Sequence, residues 1–245
     1  MKTKTKPQSR IKRIEKVWTP DAELYIPHED KEITFAYPSF GPDTYQSVGK
    51  QILEHNLEIP TAEQTASLLY SAYFSDEKNE PEFENIRDVM RNRWLWIFNR
   101  KLWTDKGVYT KFDPEAKGIN EQLDIKNLEK KLRNGKEIKG IEVRFSEDNC
   151  IRFAPKGSYK LGDHTPESLA KDGNVISEYG EEGAEKLGEI AAQFKYSLYL
   201  YGLNIIEPGN HGLRVSALGD GDVGLPVVGY GFDDSWGGHS FGVLR

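Results

Sequence analysis

The spacing of apolar positions predicts a run of amphipathic helices leading into one buried strand. After Gly41-Pro42-Asp43, where Asp43 is placed to cap, Tyr45, Val48, Ile52 and Leu53 fall near one helical face. Pro60-Thr61 opens a second helix. Thr61 and Gln64 have capping-box spacing, and Ala62, Ala66, Leu69 and Tyr73 form one inward stripe. A third helix is expected over 81–92, with Phe83, Ile86, Val89 and Met90 inward. Upstream of them, 33–37 reads as a short strand. Arg93-Trp94-Leu95-Trp96-Ile97-Phe98 is the most apolar stretch, and its aromatic and β-branched residues predict a central strand buried on both faces. Its tryptophans, with Trp103, are expected in the core; a base-stacking or sugar-stacking platform would need them exposed.

Further along, Leu123 to Arg133 reads as an exposed helix closed by Asn134-Gly135. Ile141, Val143 and Phe145, then Ile151 and Phe153, alternate on either side of a turn at 146–149, which is a hairpin pattern. Asp163 or Thr165, with Pro166 and Glu167, starts a short helix, and Ala184, Leu187, Ile190, Ala191 and Phe194 define another. Helices and hairpins are interspersed without a repeated β-α-β unit or internal repeat, so the expected class is α+β.

Composition adds a division of the chain. Its 245 residues, 37% hydrophobic and 29% charged, are in the range of a globular protein with one sizeable core. The net charge of −6 hides an asymmetry, because residues 1–16 carry seven Lys or Arg against one Glu. The reading is a flexible basic arm over 1–17 and a single domain over 18–245. The arm is either a solvated tail or an electrostatic contact with nucleic acid. Cys150 is the only cysteine, which excludes an intrachain disulfide and a cysteine-based zinc site. With no apolar stretch after the basic N-terminus and no run long enough to cross a bilayer, the chain is expected to be soluble and, by default, cytoplasmic.

The sharpest compositional signal lies after Glu207. Lys and Glu fill 46 of 245 positions, yet residues 208–245 contain neither, where the chain average would place about seven. Ten of the 23 glycines fall in the same 38 residues. Leu213 to Leu218 and Phe241 to Leu244 look like scaffold. Between them, Gly219 to Ser240 is rich in Gly, Asp, Tyr, Ser and His, the residue types that make adaptable recognition loops. The bland alternative is a set of glycine-rich turns joining edge strands.

Catalytic and metal chemistry fit that segment less well. Asp220-x-Asp222-x-Gly224 starts like a calcium loop, but the fifth and twelfth positions are Gly224 and Gly231, so the EF-hand ligand set fails and only a looser cation site is left. The glycine spacing does not open a helix after a strand, which excludes a Rossmann turn. His239 has Asp233 and Asp234 nearby in sequence, and Ser235 or Ser240 could be imagined as nucleophile, but neither serine sits in a nucleophile elbow. His28, His55, His164 and His211 show no metal-ligand spacing. No cofactor and no metal are expected.

The phrases Leu57-Glu58-Ile59-Pro60-Thr61-Ala62, Asn92 to Phe98, Leu102-Trp103, Arg152-Phe153-Ala154-Pro155-Lys156, His164 to Ala170, Arg214 to Leu218 and Phe241 to Leu244 resemble the variable proteins of diversity-generating retroelements, especially an archaeal group. They span the chain from about 41 to 244. The resemblance implies a C-type lectin fold whose variable residues are rewritten at template adenines, often in AAC or AAT codons. Changing the first two letters of such codons never yields Lys, Glu, Gln, Met or Trp. Between Gly219 and Ser240 every residue except Trp236 belongs to the permitted set, so the resemblance makes Trp236 scaffold. The related formylglycine-generating enzymes need cysteines near the C-terminus, and here the one cysteine is Cys150. The resemblance therefore implies non-enzymatic binding of a macromolecule, expected to be a protein. The contact residues expected are Asp220, Asp222, Tyr230, Asp233, Asp234, Ser235 and His239, with Leu225 and Val227 anchoring the segment by alternation. The competing reading is a nucleic-acid-associated protein that uses the arm from Lys2 to Lys16.

Overall fold

The computed structural model describes residues 9–13, 21–194, 198–203, 206–219, 225–228 and 237–245, which form six α-helices and two sheets. Elements are numbered in chain order. The smaller sheet is an antiparallel meander of β1 (Arg10–Arg13), β2 (Ala22–His28) and β3 (Lys31–Tyr37). The larger runs β10 (Gly162–His164), β11 (Leu198–Tyr201), β13 (Leu225–Val228), β12 (His211–Gly219), β5 (Trp94–Thr104), β6 (Gly107–Phe112), β9 (Ile151–Pro155), β8 (Val143–Phe145), β7 (Lys136–Ile138). β14 (Gly238–Ser240) pairs with β5 and with β4 (Phe40–Asp43). β11–β13 and β14–β5 are parallel pairs and the other ladders antiparallel, so the sheet is mixed. The helices are α1 (Tyr45–Glu54), α2 (Ala62–Phe74), α3 (Pro81–Asn92), α4 (Ile125–Leu132), α5 (Pro166–Ala170) and α6 (Gly173–Ala191). This is the α+β class that the periodicity predicts. Among the described residues no helix is long and apolar enough to cross a membrane.

β5 organises the core. Its odd positions Leu95, Ile97 and Trp103 join the cluster built with α2, α3 and α6, while Trp96 and Phe98 join the one under α1. Leu102 faces a third cluster with Leu128 and Leu132 of α4. Burying each such side chain contributes about 1.5–3 kcal/mol, and a strand covered on both faces draws on both sides of its pleat. The expected capping box at Thr61 and Gln64 is present, and Ala62, Ala66, Leu69 and Tyr73 are buried. Trp96 and Trp103 are core residues, whereas Trp94 is half-buried.

Several local expectations change. Thr44, not Asp43, caps α1, because its hydroxyl accepts from the Ser47 amide while Asp43 accepts from Thr44. Leu53 is 38% exposed, since it falls one position past the buried Ile52 stripe. The helix expected around Ala184 begins eleven residues earlier, at Gly173, capped by Asp172 and kinked at Gly180. Phe194 lies beyond its end and packs against the core from there. The helix read as exposed, α4, buries Leu128 and Leu132 on the sheet. Within the basic segment, Arg10–Arg13 is not an arm but strand β1, because its backbone pairs with β2 from Arg10 opposite Tyr25 to Arg13 opposite Ala22 and Ile11 packs against the core; its cations meet carboxylates, Arg10 with Glu32, Lys12 with Glu23, Arg13 with Glu80 and Glu82.

Candidate functional site

The segment singled out by composition is held at both ends by one place in the fold. Gly219, the last residue of β12, pairs with Trp94, and Gly238, the first of β14, pairs with the same residue on the other edge of β5. Both positions are close approaches. A Cβ on Gly219 would collide with the Arg93 carbonyl oxygen, and one on Gly238 would collide with the indole of Trp96. Glycine is used here because backbone has to lie directly on its neighbour. Trp96 Nε1 donates to the Asp43 carbonyl at 3.0 Å, which ties β4 to the same spot. Ser240 is buried and its hydroxyl donates to the Trp96 carbonyl at 3.3 Å. Beyond it, Val243 bridges to Phe35 and Glu58, and Leu244 donates to Thr34, so the C-terminal scaffold is stitched to β3. Midway through the segment, β13, which contains Leu225 and Val227, is paired on one edge with β11 and on the other with β12.

Of the expected contact residues, Asp220, Asp222, Tyr230, Asp233, Asp234 and Ser235 lie outside the described residues, as does Trp236. His239 is described. It sits in β14, partly buried, with Nδ1 3.2 Å from the hydroxyl of Ser39. The imagined nucleophile Ser240 is taken up by the Trp96 carbonyl, and the serine that meets His239 comes from the turn between β3 and β4. Among the described residues, no group of three or more His, Cys, Asp or Glu side chains is arranged to hold a metal ion.

Burial, reinforced by the charge of Arg93, holds the His239 imidazole below its ordinary value of 6.5. Burial does the same to His28, whose Nδ1 is 2.9 Å from Ser67 Oγ. The unfolded chain therefore takes up protons at these sites at higher pH than the folded chain does. Between the two values the unfolded state binds more protons, so stability falls as pH drops through and below 6.5. The urea midpoint is expected to fall between pH 7.5 and 5.5, and a His28→Gln/His239→Gln variant should show a smaller fall. Equal falls in the two proteins would contradict the assignment.

A second polar constellation was not legible in the sequence. Lys101 on β5, Thr110 on β6 and Arg152 on β9 are direct cross-strand partners, forming one row across three strands. Against them α6 presents Asn174, Ser177 and Glu178, which share a helical face at i, i+3 and i+4. Lys101 Nζ donates to Asn174 Oδ1 at 2.7 Å and to Glu178 Oε2 at 2.5 Å, with both charged side chains fully buried. Thr110 and Ser177 hydroxyls are 3.2 Å apart, and Arg152 Nη1 donates to the Glu178 carbonyl at 3.1 Å. Arg152 also pairs with Glu63 at the start of α2. Beside this row lies a cavity of about 300 Å³. The one sequence signal was a lysine inside the apolar run of β5.

The nucleic-acid reading loses part of its basis. Three of the seven cations in 1–16, Arg10, Lys12 and Arg13, are engaged by carboxylates of the same chain.

No family model matches the chain, and no curated protein matches it. Among solved structures, it is similar to one described as the accommodation of massive sequence variation in Nanoarchaeota by the C-type lectin fold. The identity is 13%, over 84% of this chain and 95% of that one, with a TM-score of 0.44.

Proposed function

We propose that this chain is a non-enzymatic recognition protein of C-type-lectin-like fold that displays a diversified segment, about 219–240, to a macromolecular ligand, in the first instance a protein. The observation that carries the reading is the absence of Lys and Glu from 208–245, together with glycines at both ends of the inner segment that admit no side chain. A fixed entry and exit let the residues between them change without disturbing the core, because loop sequence is tolerant where its ends are held by scaffold.

The pinning sharpens the boundaries. Gly219, Gly238 and Ser240 belong to the frame by close approach and burial, and Trp236 by codon logic. Sequencing sibling copies of the coding locus is expected to place replacements within 220–235, 237 and 239, with those four residues constant. Replacements spread evenly along the chain would sink the proposal. Asp220, Asp222, Tyr230, Asp233, Asp234, Ser235 and His239 are the contact residues on this reading, with His239 at the border, since Ser39 already engages it.

A further inference from the structure

Asn99 on β5 is 4% exposed, and among the described residues its carboxamide has no hydrogen-bond partner. Two residues further along, Lys101 points at α6, so the pleat turns Asn99 to that same face. Its cross-strand partner on β6 is Phe112, which is half-buried, and both residues line the cavity beside the polar row. Glu178 Oε1 and the Tyr179 hydroxyl are unpartnered too, but they are closed off, whereas the Asn99 amide atoms keep accessible surface. A buried carboxamide without partners costs free energy until a group with both a donor and an acceptor reaches it.

The charges around Asn99 are already matched. Lys101 donates to Asn174 and Glu178, and Arg152 donates to Glu63 and to the carbonyls of Glu178 and Asn149. Asp148 accepts from the Ser146 hydroxyl and the Cys150 amide. An anion would face the carboxylates of Glu29, Glu63 and Asp148 with no free cation to receive it, and a cation would find only Glu29, exposed on the β2–β3 turn, uncommitted. What stays open in the lining is neutral: the Asn99 amide and Nε2 of Gln64, whose Oε1 is taken by the Thr61 amide. At about 300 Å³ the space is at the lower end of the roughly 300–1,000 Å³ of small-molecule sites.

We propose that this cavity, between α2, α6 and strands β5, β6 and β9, binds a small, flat, uncharged aromatic carboxamide, whose amide pairs with the Asn99 carboxamide while its ring lies against Phe112. The site is separate from the C-terminal segment and does not depend on its diversification. Cys150, the chain's only thiol, is in the cavity wall, and its carbonyl accepts from the Phe112 amide at 2.9 Å, so it reports occupancy beside the ring. The test is the rate of Cys150 modification by methyl methanethiolsulfonate on the full chain at pH 8.5, where a thiol raised by burial still reacts. Benzamide near its solubility limit is expected to slow the reaction at least five-fold. Acetophenone, the same shape with an acceptor but no donor, and benzoate, the same shape with a negative charge, should slow it less than two-fold. Asn99→Leu removes the unpartnered amide at similar volume, so it should melt no lower than the parent and lose the protection; Asn99→Ala should lose it too. No protection by benzamide in the parent, equal protection by acetophenone or benzoate, or full protection in a folded Asn99 variant would each overturn the proposal. Should neither variant fold, the three probes on the parent chain decide it alone.

Discussion

Replacing Lys101 alone by methionine is expected to destabilise the fold by about 3–5 kcal/mol, the range for breaking a buried ion pair from one side. Lys101 and Glu178 are both fully buried with 2.5 Å between Nζ and Oε2. Removing the ammonium strands a carboxylate between the sheet and α6, where no water can replace the lost charge. Attraction within the pair and the cost of desolvating it nearly cancel when both partners are present, so the pair itself adds little net stability. The damage comes from the survivor. Combining Lys101→Met with Glu178→Met should therefore recover most of the loss. For a chain of this size each kcal/mol moves Tm by about 2–4 °C, so the single variant should melt roughly 10 °C below the parent and the double variant near it. Thermal melts followed by circular dichroism decide the matter. A double variant as unstable as the single one would show that the row is held by its geometry and not by charge balance.

Trp96→Ala is expected to cost about 3–5 kcal/mol as well, the usual range for emptying a large aromatic site, and to act on the frame of the C-terminal segment in particular. The indole fills the space against Gly238, meets Tyr45 edge-on at 5.8 Å, and donates to the Asp43 carbonyl. Its loss opens a void where β4, β5 and β14 meet. It also leaves the Asp43 carbonyl without that donor. Trp96→Phe keeps part of the volume but no N–H, so its cost should lie between the parent and the alanine variant. Urea midpoints order the three proteins. Proteolysis within 220–236 should accelerate in the alanine variant more than overall instability accounts for, because one end of the segment is released. A Trp96→Ala protein within 1 kcal/mol of the parent would remove Trp96 from its assigned place in the frame.

How much of this could be read along the chain depends on the range of the interactions. Helices α1 to α3 and the hairpin of β8 and β9 follow from local periodicity, caps and turns, and these were legible. Strands β4, β10, β11 and β14 were not, because three- and four-residue strands carry too little alternation and are defined by partners far away in sequence. The first half of α6 was hidden for a different reason. Asn174, Ser177 and Glu178 interrupt its apolar stripe, and they are buried only because Lys101, Thr110 and Arg152 face them from the sheet. Leu53 shows the opposite case, an apolar residue near the end of a pattern that falls on a face the helix does not bury, whereas Phe194 lies past the end of α6 and packs on the core from there.

For the C-terminal segment the division is clean. Its composition, including the missing Lys and Glu and the solitary Trp236, is a property of the sequence alone, as is the absence of an EF-hand or nucleophile-elbow pattern. That Gly219 and Gly238 both rest on Trp94, with Trp96 filling the space against Gly238, required the folded chain. The physical reason is that a glycine in a loop-rich segment reads the same whether it serves a turn or a close approach. Only the neighbouring backbone and ring, brought there by non-local strand pairing, exclude every larger side chain.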